Sequence, residues 1–277
     1  MKIIDHLLHD DSDQPVRFVQ SPNIGGKLKP EYLVIHYTAG STAHGAVTWL
    51  TNPNAKASAH LVIGRDGSIT QLVRFDTVAW HAGASSWEGR VGLNLYSIGI
   101  ELDNAGRLAR QGNQWRAYFG KIYPDDEVIE AKHKNGRGPY GWHIYSEKQL
   151  EVALEVGIAL FNEYGLLDVV GHDDIAPNRK TDPGPAFPME SFRAKLLGRK
   201  EDEPPVYENT ITLPIRAGAG SEFAELPGSP LPKGTRLDKL ADEGMWCFVY
   251  VLDEINGAMD LMGWVHNQYV QRVSEDE

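Results

Sequence analysis

The chain has a single cysteine, Cys247, so no internal disulfide can form and a stapled miniprotein is excluded. Cys247 lies in the apolar run Met245-Trp246-Cys247-Phe248-Val249-Tyr250-Val251, where a small thiol reads as a buried strand residue. Positive charge is also scarce. Lys and Arg total 27 against 38 Asp and Glu, a net charge of −11, which repels phosphate backbones and argues against a nucleic-acid partner. No apolar stretch approaches the ~18 residues of a membrane span. Asp5 and His6 interrupt the opening residues, which therefore lack the ~7–15 apolar residues of a signal-peptide core. Taking Met1 as the natural start, the expected location is the cytoplasm, or the cell wall after lysis or nonclassical release.

What is present is ordinary for globular protein: 42% hydrophobic and 23% charged residues over 277 positions, enough for one large or two modest domains. Residues 1–30 contain Pro15, Pro22, Gly25, Gly26 and Pro30 and read as an irregular arm. Tyr32-Leu33-Val34-Ile35-His36-Tyr37 is the nearly continuous apolar run of a strand covered on both faces. A short helix is expected from Ser41 or Thr42 to about Asn52, with Pro53 as its stop. Residues 59–63 and 68–73 flank Arg65-Asp66-Gly67, a hairpin signal. Another strand is expected at 97–102, with Ile98 and Ile100 on one face and Gly99 and Glu101 on the other.

Residues 103–143 show no clean periodicity and read as a long insertion or loop, with His133 and His143 as exposed loop histidines. Ser146-Glu147-Lys148-Gln149 matches a capping box, and Leu150, Ala153, Leu154, Gly157 and Phe161 follow helical spacing up to Gly165. A strand at 168–171 leads to His172, and a helix is expected at 189–197. The Pro204-Pro205 pair and surrounding charge predict a linker over 199–210. Beyond it, alternation at Ile211, Leu213 and Ile215 and apolar segments at 246–252 and 262–265 predict a small barrel over 211–273. The fold class expected is α/β over 31–198, a mixed central sheet with flanking helices, followed by that all-β barrel.

His36 and His172 each end an apolar strand, and parallel strands present their C-terminal ends on one ligand-binding edge. Asp182 follows in the stiff segment Lys180-Thr181-Asp182-Pro183-Gly184-Pro185. Two histidines and a carboxylate form a recurrent catalytic zinc set with one position left for water, whereas structural zinc fills all four positions with Cys or His. The spacing of these three residues is by itself a weak signal.

Four segments carry a more specific pattern. Leu33-Val34-Ile35-His36-Tyr37-Thr38-Ala39, Ala79-Trp80-His81-Ala82-Gly83, Ile98-Gly99-Ile100-Glu101 and the run from Gly171-His172-Asp173 to Lys180-Thr181-Asp182-Pro183-Gly184 resemble, in order, the signatures of type 2 N-acetylmuramoyl-L-alanine amidases. These are relatives of peptidoglycan-recognition proteins and phage amidases. The resemblance spans 31–190 and implies a zinc amidase that cuts the lactyl–L-alanine amide of peptidoglycan or muropeptides. It implies His36, His172 and Asp182 as Zn2+ ligands, Glu101 as the carboxylate that handles the proton of water, and Lys180 as the cation that offsets the oxyanion. His60, Trp80, His81, Asn94 and Arg179 fall within or beside the same motifs and are expected to line the substrate groove.

Toward the C-terminus, Pro214-Ile215-Arg216-Ala217-Gly218, Leu231-Pro232-Lys233-Gly234-Thr235 and Gly263-Trp264-Val265-His266 resemble a bacterial SH3-like domain, which implies a module docking on the cell wall or on the catalytic domain. The competing class is a non-catalytic peptidoglycan-binding protein. Such relatives typically lose a zinc ligand, whereas Asp182, Glu101 and Lys180 are all present here.

Overall fold

The computed structural model describes residues 1–136, 138–197, 206–255, 257–258 and 261–273. The chain forms two compact units, Met1–Asp202 and Glu203–Glu277.

The larger unit is built on a six-stranded mixed sheet. Its strands run in the order Asp168–Gly171, Tyr32–Tyr37, Ser97–Leu102, Leu61–Ile63, Ile69–Gln71 and Arg17–Phe18. The first four are parallel neighbours, and Leu61–Ile63 pairs antiparallel with Ile69–Gln71 across the Asp66-Gly67 turn. Because side chains alternate along a strand, the two faces of this sheet have different fates. Leu33, Ile35, Ile98 and Ile100 are fully buried in one cluster with Val152, Ala153, Val156 and Leu160 of a long helix. Each such side chain contributes about 1.5–3 kcal/mol by leaving water. Val34 and Val170, on the opposite face, pack with Ala82, Leu93 and Ile175. His36 shares the parity of Val34, and Glu101 that of Gly99, so both project from the face that the long helix does not cover.

Among the described residues, four α-helices accompany the sheet: α1 (Ala43–Leu50), α2 (Glu147–Tyr164), α3 (His172–Ile175) and α4 (Met189–Leu197). Thr42 caps α1 by accepting from the Gly45 amide, and Pro53 opens a short 3-10 turn after it. Ser146 caps α2 through the Gln149 amide, and Gly165 closes it at φ 60°, a left-handed conformation that glycine adopts without strain. The expected capping box is only half formed. The Gln149 side chain turns inward and donates to the carbonyls of Ile63 and Asp103, tying α2 to two strand ends that are themselves joined by the Asp103 amide donating to the Ile63 carbonyl.

Three expectations need correction. The arm over 1–30 is not irregular: Lys2–Ile4 pairs with Leu7–His9, Ile24–Lys27 with Thr77–Ala79, and Leu8 and Leu28 enter the main core. Short strands that pair through backbone amides leave little side-chain periodicity. Residues 103–143 are likewise not a loop. They form a five-stranded antiparallel sheet ordered Ile122–Tyr123, Gln114–Arg116, Arg107–Gln111, Pro139–His143 and Val128–Lys132. It has its own cluster of Ala105, Leu108, Trp115, Ala117 and Tyr123. Its strands are two to five residues long and mostly exposed, too short for an alternating apolar pattern to stand out. His133 and His143 are buried rather than exposed, because the sheet folds back over them. His143 Nδ1 accepts from the Ala105 amide, and burial lowers its pKa to about 3.

The smaller unit is all-β among its described residues. One antiparallel sheet runs Met262–His266, Trp246–Val251, Arg236–Glu243, Val206–Asn209 and Val270–Arg272. Val206–Asn209 lies within the expected linker, whose residues 199–205 fall outside the described residues. The β structure therefore begins before 211. The segment around Leu213 and Ile215 makes single bridges to Leu231, Glu225 and Trp264 rather than a regular strand, although both side chains enter the core with Cys247, Val249 and Val265. Cys247 is a buried free thiol, and burial pushes its pKa up to about 11.

Candidate metal centre and cleft

His36 is near the C-terminal end of Tyr32–Tyr37, and His172 opens α3 directly after the neighbouring parallel strand Asp168–Gly171. The side-by-side strand ends bring both imidazoles to one edge. Asp182 arrives from the following loop, whose backbone is fixed by the Asp173 amide donating to the Asp182 carbonyl (2.8 Å). The Tyr145 hydroxyl donating to the Pro183 carbonyl adds a second tie.

The three side chains converge closely. His36 Nδ1 lies 2.9 Å from His172 Nδ1 and 3.0 Å from Asp182 Oδ2, and His172 Nδ1 lies 2.9 Å from the same oxygen. All three residues are buried, and together they form a group suited to holding a metal ion. Donor atoms at this spacing can share one ion with bonds of ~2 Å.

The chemistry of the donors also fits a cation. His172 Nε2 has two neighbours, the Ala82 carbonyl at 3.1 Å, which can only accept, and Arg179 Nη2 at 3.4 Å, which can only donate but already donates at 2.8 Å to the carbonyls of Ala82 and Ala84. The nearer carbonyl therefore places the proton on Nε2 and leaves the lone pair on Nδ1. Burial, reinforced by His172, lowers the His36 pKa to about 4. Burial pushes the Asp182 carboxyl upward, but hydrogen bonds and charge from His172 and His36 outweigh it and hold it well below the usual range. The result is a neutral histidine and an ionised carboxylate at the centre of the cluster.

Glu101 stands in register with His36 across the parallel pair. Its Oε2 is buried without a hydrogen-bond partner among the described residues. Burial, with the Asp182 charge second and Lys180 opposing, raises its pKa well above the ordinary glutamate value. Glu101, Lys180 and the three clustered residues line one cleft of about 890 Å³. Trp80, 38% exposed, lines it as well, together with His81 and Arg179.

Two expected groove residues are placed elsewhere. His60 is fully buried: its Nδ1 accepts from the Gly99 amide and its Nε2 faces the Thr77 carbonyl. It knits strands together and does not line the cleft. The Asn94 side chain does not reach the cleft; its Oδ1 accepts from the amides of His81 and Ala82. Arg179 donates to the carbonyls of Ala82 and Ala84 and so braces that same segment. The cleft also contains Trp49 from α1 and Tyr118 and Phe119 from the turn at 117–121 of the inserted sheet. Sequence reasoning missed these, and the only available signal was an aromatic pair in a polar segment.

The protein-family description N-acetylmuramoyl-L-alanine amidase (Amidase_2) matches residues 26–185. The chain is 33% identical over 193 residues to the 1,6-anhydro-N-acetylmuramyl-L-alanine amidase AmpD of Citrobacter freundii, covering 63% of this chain and 84% of that protein. It is 34% identical over 177 residues to the N-acetylmuramoyl-L-alanine amidase AmiD of Escherichia coli strain K12, covering 61% of this chain and 54% of the relative. The crystal structure of a selenomethionine AmpD derivative superposes with a TM-score of 0.50 at 29% identity, covering 71% of this chain and 99% of that one. A match over more than half of the chain, with the quoted motifs gathered on one sheet edge, establishes that this chain belongs to the N-acetylmuramoyl-L-alanine amidase family.

Proposed function

We propose that the protein is a zinc-dependent amidase that hydrolyses the amide between the lactyl group of N-acetylmuramic acid and the L-alanine of the stem peptide, with anhydro-muramyl peptides as its substrate class. The observation that carries this reading is the convergence of His36, His172 and Asp182 within 3.0 Å of one another, beside the unpartnered Glu101 oxygen. AmpD, a relative by sequence, is named for action on anhydro-muramyl substrates.

His36, His172 and Asp182 would hold the zinc ion. When bound, zinc lowers the pKa of water toward ~7 and polarises a carbonyl. Glu101 accepts the proton of the attacking water, a role suited to a carboxylate whose pKa burial has raised. Lys180, on the same cleft wall, offsets the negative charge that grows on the amide oxygen. Glu101 then returns the proton to the leaving amine of L-alanine. Trp80 offers a partly exposed flat face to the sugar or peptide. The C-terminal unit is read as an SH3-like barrel that docks on polymeric wall material.

The test is to incubate zinc-loaded protein with anhydro-muramyl peptides and with intact sacculi, and to read product masses. Release of free sugar and of an intact stem peptide is expected. Cleavage within the peptide would indicate a zinc peptidase, and binding without products would indicate a recognition protein.

A further inference from the structure

His36 Nε2, the nitrogen turned away from the cluster, lies 3.0 Å from His81 Nδ1. The two rings meet edge to face, with centroids 5.1 Å apart and planes at 85°. On its far side, His81 Nε2 is 3.2 Å from the Ser97 carbonyl oxygen. A carbonyl cannot donate, so His81 Nε2 carries the proton and a neutral ring has only a lone pair at Nδ1. That lone pair requires a proton on His36 Nε2, which in turn leaves His36 Nδ1 bare toward His172 and Asp182. The Ser97 hydroxyl is spent on the Leu93 carbonyl (2.6 Å) and presents oxygen, not hydrogen, to His81.

Ala82, the next residue, performs the equivalent task for the other imidazole through its carbonyl, 3.1 Å from His172 Nε2 and closer than Arg179 Nη2 at 3.4 Å, whose hydrogens go to the carbonyls of Ala82 and Ala84. One dipeptide thus faces the outer nitrogen of both histidines. Asn94 fixes that dipeptide by accepting from both of its amides, at 3.0 and 2.7 Å. The sheet leaves room for the His81 ring only because residue 99 is glycine. A Cβ there would fall 2.5 Å from His81 Cγ and Nδ1.

We propose that His81–Ala82, pinned by Asn94, is the positioning element that sets the tautomer of both His36 and His172, so that each presents an unprotonated Nδ1 to the metal. His81, although it lines the cleft, accordingly acts on the metal site through His36. The inference rests on the zinc reading above and deepens it. Outer-sphere partners of metal-bound histidines are generally worth roughly 10–100-fold in metal affinity.

The experiment measures zinc affinity of the full chain by competition with a chromophoric chelator, alongside long-range 1H–15N spectra of the zinc-loaded wild type. His81→Leu is expected to weaken zinc binding by roughly 10–100-fold. His81→Asn, which keeps an acceptor near the Nδ1 position, should recover most of the loss. Asn94→Ala should weaken binding without touching either ring. The spectra should place the proton of both His36 and His81 on Nε2. Wild-type affinity in folded His81→Leu, or a proton on His81 Nδ1 in the spectra, would overturn the proposal, and the spectra decide it even if that variant does not fold. Failure of the wild type to bind zinc would instead overturn the amidase reading itself.

Discussion

His133 Nε2 lies 2.9 Å from Asp173 Oδ2, and this contact fastens the inserted sheet to α3, the helix that begins with His172. Both side chains are almost fully buried, at 4% and 3% exposure. Lys134 adds a contact to Asp173 and another to Asp174, and the Asn135 side chain donates to the Asp173 carbonyl. His133→Ala leaves part of a buried carboxylate without its partner, so a loss of about 1–3 kcal/mol is expected in urea unfolding. Undiminished stability would show that the His133 contact does not brace the helix.

Glu101→Gln keeps the shape of the side chain and removes its capacity to take a proton. Zinc affinity should stay within a few-fold of wild type, while kcat falls by roughly 10²–10⁴. A variant that binds zinc normally and turns over at the wild-type rate would remove Glu101 from the mechanism.

Zinc that binds only the folded chain stabilises it by mass action. At a free concentration of 100 times Kd the gain is about 2.7 kcal/mol, visible as a higher Tm in calorimetry and reversed by chelation. Asp182→Ala should abolish the shift. A zinc-induced rise that persists in this variant would place the ion elsewhere.

His60 is buried, and burial lowers its pKa to about 4. As pH falls below the ordinary histidine value of ~6.5, the unfolded chain takes up a proton that the folded chain refuses until about 4. Stability attributable to His60 is therefore fully present above that window and drops by roughly 3 kcal/mol across it. Urea unfolding of the zinc-free protein between pH 7 and 4 should show this loss, and His60→Asn should flatten it. An equal slope in the variant would assign the dependence to other groups.

The elements legible in the amino-acid order alone are those whose pattern comes from water. The strands over 32–37 and 97–102 are apolar along nearly their whole length because both of their faces are covered, the helix from Ser146 to Gly165 repeats because one face is buried, and caps and turn residues mark its ends. The sequence also carried the motifs that single out His36, Glu101, His172 and Asp182, since their chemistry needs those residue types whatever surrounds them. Folding alone settled which motif residues open on the cleft and which spend their polar atoms on the protein itself. His60, His81 and Asn94 are polar residues in or beside the same motifs, yet their partners are backbone groups and a ring up to 45 positions away in sequence. Likewise, the inserted sheet hid in a charged segment because its pairing uses backbone hydrogen bonds, which every side chain permits and no local pattern records.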